Sequence, residues 1–523
     1  MKKVSKVIES IEDSIEKLLK KMSKHRFVYY VLVSLFLFAL YYLNMKQKIK
    51  LANRESKFLL YFAIFGLIAM LVSIVLSYIV NKKKISIYKL FIIISLSLGS
   101  LYIAFVPLFS QSDEPAHFLK SYSVAMGRLN YNYKFGNQAY LYPKVVEDSL
   151  YFNTNSTKIK EYKTYGDMNR IRKINPKYNE EKYSNVRGST DYPIFSYFTY
   201  AIGMKIGMVL NLNTYYIGML GRIFNLVICT LLLALGLKLL PYKKNAMIVL
   251  LLSPVVIAYN SAYSVDGSLL CYSFLFISYI LYLKENKKNI GTKQTIILSV
   301  LTILLSITKM AYLPLVASIL LLPKDCFKKD TTKKYLFSIF IMMLGILSTM
   351  TWLHFSGKDL SSTSSNSNAW IYGYPLRFAY ILVNDLFTSG YYYIENIFAG
   401  NYLCHGQVAP YEIIAFIYII LFVLSIRNEE GNELRKIEKI LIVILIALVY
   451  ILLALAIYLT NTKYNANLVN GIQGRYFMPF MLLFIILFNK KTNSINKNTF
   501  ISIAILLNLA VLMTMIVRFM FFV

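Results

Sequence analysis

Residues 111–118 read QSDEPAHF. Two adjacent carboxylates, Asp113 and Glu114, and an imidazole, His117, stand where an apolar run, 88–109, gives way to a long polar stretch. A carboxylate at such a boundary suits a general base that takes a proton from a hydroxyl. His117, one helical turn on, would face the same space. Three further charges lie in or beside apolar segments: Arg222 in GMLGRIFNLV (218–227), Asp266 in YNSAYSVDGSLL (259–270) and Lys309 in SITKMAYLPL (306–315). A fourth, Arg475, sits in QGRYFMP (473–479) beside Tyr476, and Tyr312 follows Lys309. A cation in apolar surroundings needs an anion. A protein carboxylate such as Asp266 would serve, and so would the phosphate of a lipid ligand. Arginine grips phosphate through two parallel hydrogen bonds, and the glycine before Arg475 permits close backbone approach. Each residue also has a plainer reading. Asp113 and Asp266 fit helix caps, His117 a structural hydrogen-bonder, and Arg475 an interfacial arginine beside an anchoring tyrosine.

The elements that must position these groups are membrane spans. The 523-residue chain is 57% apolar and 16% charged, against about 25% charged in soluble proteins. Apolar runs recur from end to end, which reads as an all-α polytopic membrane protein of about 13 transmembrane helices. The spans fall at 28–44, 57–80, 86–108, 214–240, 245–262, 266–284, 294–308, 309–323, 335–356, 410–426, 438–460, 475–489 and 499–521. Residues 1–27 are charged and amphipathic, without the apolar core of a cleavable signal, and read as a cytoplasmic surface segment. Residues 28–84 read as two extra N-terminal helices, and 85–523 as the main transmembrane domain, with 109–213 its extracytoplasmic loop. The net charge of +31 does not indicate nucleic acid, because the lysines and arginines are spread over short loops between spans. The four cysteines, Cys229, Cys271, Cys326 and Cys404, form no close-spaced pair and imply neither a disulfide framework nor a zinc site.

Charge also sets the topology. Five short loops, beginning at Lys243, Lys284, Lys324, Arg427 and Lys490, are rich in lysine or arginine, whereas 260–265 and 461–474 hold one lysine between them. If YPIFSYFTYAIGMKIGMVL (192–210) lies in the interface, all five basic loops face the cytoplasm with the N-terminus. The loop holding Lys46, Lys48, Lys50 and Arg54 dissents. On this topology Asp113, Asp266 and Arg475 meet on the extracytoplasmic side. SDEP opens a second interfacial helix, with Phe118, Leu119, Tyr122, Ala125 and Met126 on its apolar side, His117 and Lys120 on the other, and Gly127 at its end. Outer segments 360–375, with Trp370, Tyr372 and Tyr374, and 376–400 offer aromatics for sugar stacking or interfacial anchoring.

This order of elements resembles the GT-C superfamily of lipid-dependent glycosyltransferases. A span is followed by Asp-Glu, an interfacial helix ending near AMGRLNY (125–131), a second interfacial helix at 192–207, and a span carrying GRIFNL (221–226). Within that group, PLFSQSDEPAHF, SAYSVDGSLL, TKMAYLPL and GIQGRYFMP together resemble the bacterial polytopic family of domain of unknown function 2142, over roughly residues 90 to 490.

The resemblance implies a GT-C-like bundle and an inverting transfer of a sugar from a polyprenyl-phosphate donor to a cell-surface glycan acceptor at the outer face of the plasma membrane. Asp113 would be the base, with Glu114 as neighbour or substitute. Arg475, Arg222 and Lys309 would bind the donor phosphate, with His117, Asp266, Tyr476 and Tyr312 in support. Some relatives use a divalent cation, Mg or Mn; here Asp113 and Asp266 would share it, although no dedicated ligand cluster accompanies them. The alternative class is a transporter or flippase of lipid-linked glycans, which would show inverted repeats and broken helices.

Overall fold

The computed structural model describes residues 10, 13–21, 25–53, 55–127, 140–143, 164–173, 181–184, 192–356, 374–399, 412–463 and 466–521. Segment 360–373, with Trp370 and Tyr372, lies outside them, as do Cys404 and most of 125–131.

Three long apolar helices lead: α1 (Arg26–Leu51), α2 (Lys57–Lys82) and α3 (Ile87–Phe105). The loop after α3 carries two short helices, α4 (Glu114–Ala125) and α5 (Tyr165–Arg172), and an antiparallel ladder of β1 (Tyr140–Pro143) with β2 (Glu181–Ser184), Tyr140 opposite Ser184. Then come α6 (Phe198–Val209), α7 (Thr214–Leu239), the broken pair α8 (Lys244–Leu251) and α9 (Pro254–Asn260), α10 (Val265–Glu285) and α11 (Thr292–Thr308). A 3-10 helix, Met310–Leu321, follows. The chain closes with α12 (Thr331–Ser356), α13 (Pro375–Phe398), α14 (Glu412–Ile426), α15 (Lys436–Asn461), a 3-10 turn Gly474–Phe480 running into α16 (Met481–Ile486), and α17 (Lys497–Phe521).

The architecture is that of an all-α polytopic membrane protein, with the β1–β2 ladder as a small departure in the loop. Every apolar segment read as a span is helical over at least part of its length. Among the described residues eight helices are long and apolar enough to cross a bilayer, and α6, α11, the Met310–Leu321 helix, α14 and the Gly474–Ile486 segment are shorter. At 1.5 Å per residue, the twelve residues of α6 reach only about 18 Å, short of the hydrocarbon thickness.

Local sequence explains the breaks. Ser253 accepts from the Val256 amide at 3.3 Å and Pro254 opens α9. The chain therefore restarts a helix where a single span was expected at 245–262. The carbonyl of Leu252 freed by this break accepts from Asn508 Nδ2 at 2.8 Å.

Helices α10 and α17 form the centre, each 89% buried over its most apolar stretch, whereas α1 is 17% buried and presents its side chains outward. The α1–α2 hairpin is joined to α17 through contacts such as Tyr41 Oη to Thr514 Oγ1, 2.7 Å. Helix α4 departs from the two-sided reading of 114–125 in one respect. His117 and Lys120, expected on the side opposite the apolar residues, are also buried, because α4 packs against both α6 and β1.

Candidate active site

The first turn of α4 starts from a strained corner. Phe109 (φ 69°) and Asp113 (φ 60°) both occupy the left-handed region, which is costly for residues with a Cβ. Asp113 precedes the helix, yet its carboxylate makes no capping hydrogen bond and is 65% exposed. Asp266 is not a cap either, since Ser264 Oγ accepts from the Asp266 amide at 3.1 Å. Both carboxylates are thus free of helix-cap duty.

They converge on the same guanidinium. Arg475 Nε lies 2.8 Å from Asp266 Oδ2, and Arg475 Nη2 lies 3.8 Å from Asp113 Oδ2. Lys309 Nζ lies 2.5 Å from Asp266 Oδ1, so Asp266 is clamped by one cation on each oxygen. Tyrosines complete the enclosure. Arg475 donates to the Tyr259 hydroxyl and lies over the rings of Tyr259 (4.7 Å) and Tyr476 (5.2 Å). Lys309 lies over the rings of Tyr476 (4.8 Å) and Tyr192 (5.7 Å). Such faces attract cations without neutralising them. Tyr312 Oη donates to the Tyr476 carbonyl at 2.8 Å and fixes that residue from below.

Local structure explains these placements. Lys309 caps the Met310–Leu321 helix in extended conformation (φ −148°), at the joint after α11 rather than within a span. Gly474 lets the turn bearing Arg475 press onto α13: an added Cβ would lie 2.4 Å from the Tyr393 carbonyl oxygen and 2.5 Å from the Asn396 carbonyl carbon. Asp385, buried in α13, accepts from the hydroxyls of Tyr393 (2.8 Å) and Tyr450 (3.1 Å) and from the Val469 amide (3.2 Å). It thereby ties α13, α15 and the chain leading to Arg475 together.

Glu114 and Arg222 occupy a different place from the one the sequence suggested. They form a fully buried two-pronged pair, with Arg222 Nε to Glu114 Oε1 at 2.8 Å and Arg222 Nη2 to Glu114 Oε2 at 2.7 Å. Arg222 also donates to the carbonyls of Val106 (2.8 Å) and Pro107 (3.0 Å). Glu114 further accepts from the amides of Tyr263 (3.1 Å) and Gln111 (3.2 Å). Both side chains are fully engaged within the protein, so neither has the freedom to meet substrate. Their work is to hold the corner that presents Asp113 against α7 and the 261–264 turn.

His117 Nδ1 lies 2.8 Å from the Tyr197 hydroxyl. Burial pushes its imidazole down to about 4, against the opposing pull of Asp113 and Asp266, so it is neutral near pH 7. Of the residues singled out in the sequence, Asp113, Asp266, Lys309, Arg475, Tyr476 and Tyr312 come together, with His117 beside them. Tyr192, Tyr197 and Tyr259 join the site without having been singled out, and Gly474 allows the close approach its place before Arg475 suggested. Tyr259 stands seven residues before Asp266, about two helical turns, and Tyr192 precedes a proline; neither pattern distinguishes a ligand from an anchor.

The donor set does not suit a divalent cation. Among the described residues no group of three or more His, Cys, Asp or Glu is placed to hold a metal. Asp113 and Asp266 already face the Arg475 guanidinium, where hard cations need about six oxygens. No curated protein and no solved structure matches the chain. The predicted membrane proteins of DUF2142 match residues 96–484, a stretch that contains every residue of this site, and the chain belongs to that family.

Proposed function

We propose that the chain is an inverting glycosyltransferase that moves a sugar from a polyprenyl-phosphate donor to a cell-surface glycan at the extracytoplasmic face of the plasma membrane. The observation that carries this reading is Asp113. It is an exposed carboxylate, uncommitted to a helix cap, beside a guanidinium braced by Asp266 and two aromatic rings.

In this reaction Asp113 Oδ takes the proton of the acceptor hydroxyl. The acceptor oxygen attacks the anomeric carbon, and the bond from that carbon to the phosphate oxygen breaks with its electron pair leaving on the lipid phosphate. Charge grows on the phosphate, and the Arg475 guanidinium and Lys309 ammonium are placed to meet it. Stabilisation of that kind is usually the larger catalytic contribution. Asp266 keeps both cations charged and fixed before the donor arrives. No step is routed through a metal.

The second reading, a transporter or flippase, draws on the break between α8 and α9. Broken helices line transport paths where their freed backbone faces a cavity. Here the freed Leu252 carbonyl is taken by Asn508, which favours the enzyme.

The deciding experiment compares envelope glycan composition in cells carrying wild type or Asp113→Asn as the sole copy at matched protein level. Loss of one sugar substituent in the variant supports the base assignment and identifies the donor sugar. A wild-type glycan in the variant rejects it and raises the transport reading.

A further inference from the structure

An open cavity of about 700 Å³ lies at the same end of the bundle as Asp113, yet neither Asp113, Asp266, Lys309 nor Arg475 lines it. Its wall includes Val106 and Pro107, the residues whose carbonyls Arg222 holds. The lining is amphipathic. Phe58, Tyr61 and Phe65 of α2, Ile103 of α3, and Phe519 and Met520 from the last turn of α17 supply apolar surface. Lys57, the first residue of α2, and Arg172, the last of α5, supply positive charge, and both are exposed. Much of this lining lies outside the family match: Lys57, Phe58, Tyr61, Phe65, Phe519 and Met520 fall before residue 96 or after residue 484. The N-terminal hairpin and the final helix thus add to the family domain a cavity that it does not build by itself.

We propose that this cavity binds a phosphate-bearing membrane lipid, its chain against the α2 and α17 aromatics and its phosphate between Lys57 and Arg172. Two observations point to a lipid rather than a soluble ligand. The apolar wall is made by two helices of membrane-crossing length, α2 and α17. It also runs on into outward-facing apolar residues of α2, with Leu60 59% and Ile64 44% exposed, so a chain can enter sideways from the bilayer. The charge points to phosphate. Arg172 is pre-set, donating to the Tyr215 hydroxyl at 2.7 Å and stacked 4.5 Å over that ring, which leaves guanidinium donors for an anion. Among the described residues Lys57 pairs with the exposed Glu55, at 2.5 Å, a weak surface pair that an anionic headgroup can replace. Asp167, the acid in the lining, is occupied in a capping box with Thr164. Because α5 packs on the 105–108 segment, through Tyr165 Oη to the Phe105 carbonyl at 2.9 Å, a bound lipid would also brace the turn segment that leads to Asp113. This site stands independently of the glycosyl-transfer reading.

The test uses the full chain in phosphatidylcholine vesicles, with Phe65→Trp as a fluorescent reporter in a Trp352→Phe, Trp370→Phe background. Brominated phosphatidylglycerol is expected to quench the reporter at a lower mole fraction than brominated phosphatidylcholine. Adding Lys57→Glu and Arg172→Glu should lower that preference by about thirtyfold, the effect of two basic residues at a membrane surface. Inorganic phosphate should not relieve the quenching. Equal quenching by the two lipids, an unchanged preference in the charge-reversed variant, or relief by inorganic phosphate would each overturn the proposal. If Phe65→Trp does not fold, Tyr61→Trp, at a more exposed position on the same wall, carries the same comparison.

Discussion

Asp266 is held at 2.5 Å by Lys309 and at 2.8 Å by Arg475, one cation on each carboxylate oxygen. Three helical segments that meet nowhere else through charged side chains of this site are tied at that carboxylate: the start of α10, the joint after α11 and the turn before α16. A phosphate arriving at the same place would find both cations already ordered.

Removing the clamp should therefore cost more stability than removing the proposed base. Asp266→Asn leaves two cations without their counter-charge, a loss of about 3–5 kcal/mol for breaking a buried pair. Asp113→Asn, at a largely exposed site, should stay within about 0.5 kcal/mol of wild type while abolishing transfer. Thermal unfolding in detergent, run beside a glycan assay, separates the two. Equal destabilisation by both variants would place Asp113 in the scaffold.

Arg475→Lys keeps the charge but loses the planar fork that reaches Asp266 and Tyr259 at once. Transfer should fall by about 10²–10³-fold, the range for losing one aimed electrostatic donor. Single-turnover rates with a lipid-linked donor would report it. A lysine variant as active as wild type would show that point charge alone suffices there.

The Glu114–Arg222 pair predicts strong non-additivity. Glu114→Leu or Arg222→Met alone strands a buried charge and should cost about 3–5 kcal/mol, whereas the double variant should recover most of it. Unfolding midpoints of the three proteins check this. Additive losses would mean that each residue acts through separate contacts, such as the Val106 and Pro107 carbonyls.

Gly474→Ala tests the close approach to α13. The new Cβ would meet backbone atoms of Tyr393 and Asn396, which cannot swing aside as a side chain can, so about 1–3 kcal/mol of overpacking strain is expected. Transfer should drop with it, because Arg475 is the next residue. A fully stable and active Gly474→Ala protein would contradict the packing described here.

His117 predicts a pH signature. Its folded pKa of about 4 lies below the ordinary value near 6.5, so between those values the unfolded chain binds more protons than the folded one. Stability from this residue is complete above about pH 6.5 and falls as pH drops toward 4, with a slope approaching about 1.4 kcal/mol per pH unit. His117→Gln should flatten that part of the stability profile. An unchanged profile in the variant would assign the acid sensitivity to other groups.

The sequence by itself determined a good deal. Apolar runs of membrane length require helices whatever their neighbours are, because backbone groups in hydrocarbon must pair within the segment. Asp266, Lys309 and Arg475 were legible as charges that a bilayer does not tolerate without partners, and Asp113 as a carboxylate at the membrane boundary. The Ser253–Pro254 pair lies inside the run read as one span at 245–262, where apolar length alone set the reading. Only the tertiary structure decided the pairing. Asp266 and Lys309 stand 43 residues apart, and Glu114 and Arg222 stand 108 apart. Which cation reaches which carboxylate depends on how helices cross and where glycines let them close. A local pattern made Glu114 look like a twin of Asp113. The fold buried one against Arg222 and left the other open, because adjacent residues at the start of a helix point in different directions.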